Sequence, residues 1–232
     1  MKNRFALILL AGFSIFLFQV LLQHSTPSGL NPTAAYYAGS AASETGAANV
    51  VTSIVVTYRG LDTLGEVTVL FLTALIIGFL LKRVGPAGKR ERSTMEILTT
   101  SARVLIPGSV ILGVYVFLNG HLTPGGGFQG GAIIGTAIAL MILAEPVRAI
   151  PKAVLHWMET SAGVFYVLIG LAGLVFAGGF LDNRILPLGR LGELFSAGAI
   201  PVIYSLIGIK VGAELSSIIA GINETETKAL KQ

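Results

Sequence analysis

The stretch Tyr58-Arg59-Gly60-Leu61-Asp62-Thr63-Leu64-Gly65-Glu66 sets Arg59, Asp62 and Glu66 at i, i+3 and i+7. On a helix these three side chains share one face, and the guanidinium pairs with either carboxylate. Gly60 and Gly65 leave a helix break equally open. In both cases Glu66 runs straight into the apolar segment Val67–Leu72, so it lies below the lipid headgroups. A carboxylate at that depth is costly unless paired or protonated, and such residues mark ion pathways. The plainer alternative is an interfacial salt bridge that anchors the helix. On the first reading a transient Na⁺ near Glu66 is expected, with no resident metal.

A second constellation is Lys210 with Glu214, at i, i+4. Lys210 lies about fourteen residues into the apolar stretch that opens at Ser196, near mid-bilayer, where a lysine does not snorkel easily. Two readings compete: a structural ion pair, or a member of a proton or cation relay, since a buried lysine changes its charge readily. A third constellation is the run Asn119–Gly131, NGHLTPGGGFQGG. A phosphate loop would place Lys and Ser/Thr after the last glycine; Ala132 and Ile133 stand there instead, which excludes it. Irregular backbone at membrane depth survives where it is buried in protein or lines a wet cavity. His121 carries a proton near neutral pH if its surroundings allow; an ordinary hydrogen-bonding role is the simpler reading.

The remaining charges carry less. Arg103 falls at the mouth of a span, positioned to snorkel. His156, Trp157 and Glu159 fall at the cytoplasmic start of another, where an aromatic belt is expected. Asp182, Arg184, Arg190 and Glu193 belong to an outer loop, solvated or locally paired, with Glu193 a candidate ion entrance.

What must position these groups is a membrane. The chain has 232 residues, of which 12% are charged and 53% hydrophobic, with a mean hydropathy of +0.78. A soluble domain carries about 25% charged residues, so a soluble enzyme, a nucleic-acid binder and a disordered tail are excluded as classes. The absence of cysteine removes disulfides, iron–sulfur ligation and thiol chemistry, and no cofactor ligands are visible. The expectation is an all-α polytopic protein of about six spans: Phe5–Leu22, Thr63–Leu81, Val104–Leu118, Gly131–Ala144, Ser161–Phe180 and Ser196–Ala220. The first could be a signal peptide, but its apolar core of about 18 residues favours a retained anchor.

Lys and Arg fix the orientation. With the N-terminus inside, eleven fall on the inner side (Lys2, Arg4, Lys82, Arg83, Lys89, Arg90, Arg92, Arg148, Lys152, Lys228, Lys231) and three outside (Arg59, Arg184, Arg190). Both termini are therefore expected in the cytoplasm. The organisation expected is a two-span unit (1–82), a cytoplasmic linker (83–94), a four-span unit (95–221) and a cytoplasmic tail (222–232). His24–Ser43, rich in Ser, Thr, Ala, Gly and Pro, is expected to be an irregular loop. Ala47–Tyr58 spans, re-enters or lies flat. Small residues repeat every fourth position along Gly127, Gly131, Gly135, Ala139 and along Gly208, Gly212, Ser216, Ala220, forming grooves for internal helices or for other subunits.

The stretch RVLIPGSVILGVYVFLNGHLTPGGGFQGGAIIGTAIAL (Arg103–Leu140) closely resembles the B subunit of Mrp-type (MnhB) sodium/proton antiporters, and Gly189–Leu215 resembles the rest of that domain. Upstream, Asn49–Phe71 is similar to the C-terminal end of the large A subunit of the same antiporters. It is also similar to the small subunit that replaces that end in archaeal membrane-bound hydrogenases and related ferredoxin-linked complexes. The resemblance implies a membrane-arm subunit in the cell membrane, contributing to sodium/proton translocation and partnered by other Mrp-type subunits and hydrogenase-like redox subunits. It implies no catalysis in this chain. The RGxDTxGE motif maps onto Arg59, Gly60, Asp62, Thr63, Gly65 and Glu66, with Glu66 as the ion-path carboxylate. The glycine motif maps onto Pro124, Gly125, Gly126, Gly127, Phe128, Gln129, Gly130 and Gly131, with Pro124 and Phe128 as gating or packing pieces. A scaffold that joins antiporter subunits without passing ions is the alternative. A self-sufficient carrier would show repeated halves, which this sequence lacks.

Overall fold

The computed structural model describes residues 2–23, 29–83, 95–145 and 151–229. The described residues form helices and connecting turns, with no strand among them. In chain order the helices are α1 (Lys2–Gln23), α2 (Pro32–Thr45), α3 (Val50–Thr52), α4 (Gly60–Arg83), α5 (Glu96–Leu118), α6 (Gly127–Ala144), α7 (Lys152–Phe176) and α8 (Ile200–Ala229). Five of them, α4 to α8, are long and apolar enough to cross a membrane, and Ala6–Leu22 within α1 is a shorter apolar helix. The six expected spans are therefore all present as helices. The chain divides into two compact units, residues 1–36 and 37–232. In the first, the side chains from Ala6 to Leu22 are all exposed.

In the second unit α8 is the central element: it packs against α4, α5, α6 and α7. Of the five long spans α8 is the most buried and α4 the least. The glycine lines explain how the helices come so close. A Cβ on Gly130 would lie 2.5 Å from the carbonyl oxygen of Gly113, and one on Gly113 would lie 2.8 Å from that of Gly130. α5 and α6 thus touch backbone to backbone, as small residues permit. Gly127, Gly131 and Gly135 face Ile207, Val211 and Leu215 of α8, and Gly208 faces the ring of Phe117. Both grooves close inside the chain.

Several boundaries differ from expectation. α5 begins eight residues earlier than expected and α7 nine, because their first turns carry polar residues that a hydropathy window leaves out; in the helix Thr99 Oγ1 donates to the Glu96 carbonyl (2.9 Å) and Ser161 Oγ to that of Met158 (3.3 Å). Hydropathy truncates such helices, whereas the backbone does not. The expected irregular loop His24–Ser43 is corrected for its second half, where α2 forms. Asn31 caps it, its Oδ1 accepting from the Ala34 N–H (2.7 Å), and Pro32 suits the first helical position. Ala47–Tyr58 does not span. It holds α3, capped by Asn49 Oδ1, and then a six-residue π turn, Ser53–Tyr58. The expected linker, apart from Arg83, lies outside the described residues, as do His24, Arg148 and Lys231.

Candidate functional site

The π turn ends at Arg59, whose N–H donates to the Ile54 carbonyl five residues back (2.7 Å). Thr63 Oγ1 then takes the Val55 carbonyl (2.6 Å), fixing how α4 leaves the turn. A Cβ on Gly60 would lie 2.9 Å from Leu181 Cδ1, so glycine lets α4 start against the loop between α7 and α8. Of the two carboxylates open to it, Arg59 takes Asp62: Nε donates to Oδ2 at 2.6 Å. Both side chains are more than half exposed, so the pair contributes little stability. Glu66 stands one turn on, about 9 Å into α4. It is exposed, and no salt bridge among the described residues engages it. Tyr166 of α7, fully buried and with no hydrogen-bond partner for its hydroxyl, feels the Glu66 charge. The motif therefore sets Glu66 on a helix face that this chain leaves uncovered.

The glycine motif divides in two. Pro124, Gly125 and Gly126 close the turn after α5, while Gly127, Phe128, Gln129, Gly130 and Gly131 are the first turns of α6. Pro124 and Gln129 are exposed; Phe128 is half-buried and packs against the core cluster that includes Ile207 and Val211. The turn is held from upstream. Asn49 Nδ2 donates to the carbonyls of Gly120 (2.9 Å) and Thr123 (3.1 Å), Thr52 Oγ1 to that of Gly120 (2.6 Å), and the Asn49 N–H to that of His121 (3.0 Å). His121 itself is fully buried and neither ring nitrogen has a hydrogen-bond partner. Burial pushes its pKa below the ordinary value, against the opposing pull of the Glu193, Leu194 and Leu118 backbones. Glu193, a candidate entrance, is exposed.

Lys210 and Glu214 meet as expected. Nζ lies 2.6 Å from Oε1, with the side chains 10% and 0% exposed. The contact is an ion pair outside hydrogen-bond alignment, and Oε2 has no donor at all. Lys210 Nζ also stands 4.8 Å from the Phe71 ring centroid, a cation–π contact. The stem of Lys210 lies within 3.6 Å of where a Gly163 Cβ would be, so α7 closes the third side.

One residue placed at the membrane surface by its sequence context is elsewhere. Glu159 sits seven residues into α7, is buried, and acts electrostatically on Glu214. The polar Thr160 and Ser161 directly after it set the apparent start of the apolar run beyond Glu159. Asn183 was also missed; buried in the loop between α7 and α8, it donates to the carbonyls of Thr45 (2.8 Å) and Ala197 (3.0 Å). Arg103 is exposed and lines a cavity of about 280 Å³ with Pro107, Met141 and Glu145. Among the described residues no group of three or more His, Cys, Asp or Glu could hold a metal ion.

Residues 97–217, more than half of the chain, match the family described as a domain related to the MnhB subunit of Na⁺/H⁺ antiporters. Residues 2–96 match the MbhE family, the E subunit of MBH. An uncharacterised protein of Methanocaldococcus jannaschii is 30% identical over 197 residues, covering 73% of this chain and 74% of its own. Among solved structures, a chain of the archaeal membrane-bound sulfane sulfur reductase, a respiratory membrane complex, superimposes with a TM-score of 0.81 at 42% identity, covering 95% of this chain and 97% of that one. A chain of the Mrp complex from Dietzia sp. matches with a TM-score of 0.74 at 27% identity, over 97% of this chain. This chain spans about a quarter (26%) of that longer one. By sequence and by fold this multi-pass membrane chain belongs to the MnhB-related antiporter subunit family, joined to a segment of the MbhE type.

Proposed function

We propose that this chain is a membrane-arm subunit of a multi-subunit Mrp-type module, contributing to sodium/proton translocation within a ferredoxin-linked respiratory complex. Both termini face the cytoplasm, as the Lys and Arg distribution requires. Redox chemistry belongs to other subunits, and this chain is not itself an enzyme. The observation that carries the reading is Glu66: a carboxylate about 9 Å inside a spanning helix, with no ion pair among the described residues, on the least buried of the five long spans. A charge so placed in lipid is strongly disfavoured, so sister subunits cover it and bring Na⁺ or H⁺ to it. Na⁺ occupies the site transiently, drawn by the carboxylate and tuned by the Arg59–Asp62 pair nearby.

The scaffold alternative loses a support, since the glycine grooves that would have gripped other subunits are filled by this chain's own helices. The test is Glu66→Gln in the reconstituted complex. Sodium-dependent proton flux is expected to fall at least ten-fold while subunit composition is unchanged. Undiminished flux in an intact complex would establish the scaffold instead.

A further inference from the structure

Two ionisable groups pair in the interior of the bundle, a third lies within electrostatic range of them, and their charges do not balance. α8 supplies Lys210 and Glu214, 8% and 0% exposed, and α7 supplies Glu159 at 8%. Glu159 and Gly163 are one turn apart on the same face of α7, and Gly163 is where the Lys210 stem rests. Two turns beyond Glu159, α7 adds the buried hydroxyl of Tyr166. α4 contributes the ring of Phe71 above the ammonium. α6 meets α8 here through Gly131 and Gly135, neither of which titrates. With all three groups ionised the cluster holds two negative charges and one positive.

Burying an unbalanced charge in a low-dielectric interior is costly, and like charges that share a site do not both stay ionised cheaply. The ammonium cannot serve both acids fully: it lies on Oε1 of Glu214, and Oε2, completely buried, has no donor. That unpaired acceptor needs a cation or a proton. Among the described residues no group of three or more His, Cys, Asp or Glu could hold a metal ion, so these two carboxylates offer too few ligands for a bare metal cation. A proton requires one.

We propose that Glu159 and Glu214 share a single exchangeable proton, balanced by Lys210, and that this proton is loaded and released during turnover. Loading forms one O–H bond on a carboxylate oxygen, and release breaks it, returning the proton to water or to the next acceptor. The inference rests on the translocation reading above, but at a site separate from Glu66.

The test is difference infrared spectroscopy of the purified complex in H₂O and D₂O at neutral pH, alongside sodium-driven proton flux in liposomes. Wild type is expected to show a protonated-carboxyl band that shifts in D₂O. Glu159→Gln and Glu214→Gln each leave one carboxylate against one ammonium, so each should lose the band and at least ten-fold of the flux. Glu66→Gln should keep the band while losing flux, which separates failure of this proposal from failure of the Glu66 reading. Absence of the band in wild type overturns the proposal without any variant. So does an unchanged band in Glu159→Gln, or unchanged flux in that variant when the complex is assembled.

Discussion

The hydroxyl of Tyr204 on α8 lies 3.1 Å from that of Thr52 and donates to it. The Thr52 hydroxyl in turn donates a hydrogen bond to the Gly120 carbonyl. One residue from the upstream family segment is thereby locked between two from the MnhB-related domain. Tyr204→Phe removes the first bond and leaves the second, so a loss of about 0.5–1.5 kcal/mol is expected. Thr52→Val removes both and is expected to cost more. Thermal melts of the purified complex check the order; equal melting points for wild type and both variants would show that this joint bears no load.

Packing gives a sharper expectation. An alanine at Gly130 puts its Cβ 2.5 Å from the Gly113 carbonyl and 3.0 Å from the Phe117 ring. α5 and α6 must then separate, at about 1–3 kcal/mol or more. Gly78 on α4 has nothing within 4 Å of its would-be Cβ, and alanine there is expected to be neutral or to gain up to about 1 kcal/mol through helix propensity. Stability of the two variants in detergent separates a seam glycine from an incidental one.

The difference between what could and could not be read from the sequence follows the range of the interaction. Lys210 and Glu214 were legible because both partners lie one turn apart in an apolar run. The spans were legible for the same reason, since hydrophobicity averages over a local window. Glu159 was not, because its burial depends on where α7 starts, and the polar Thr160 and Ser161 mask that start. The helix Pro32–Thr45 was hidden by a composition that suits loops as well as helices. Asn49, Thr52 and Asn183 form their decisive bonds to residues 68 to 138 positions away, and no local pattern encodes those. Glu66 is the converse: its motif was plain in the sequence, while its exposure within a single chain emerged from the fold.

The last expectation concerns acid. His121 is sealed between the turn after α5 and the loop between α7 and α8, with no hydrogen-bond partner for either ring nitrogen, and its pKa lies below the ordinary 6.5 because burial disfavours the imidazolium. In the unfolded chain the ring titrates normally, so between the two pKa values the unfolded state binds more protons. Stability then rises with pH across that window. The contribution is complete above the ordinary value and is lost as pH falls through it toward the depressed one. Melting temperatures followed from about pH 8 to pH 5 should fall more steeply on the acid side for wild type than for His121→Gln, whose amide takes no proton. Parallel curves for the two proteins would mean that the ring is solvated in the assembled complex, and that the sealed turn seen here opens when neighbours are present.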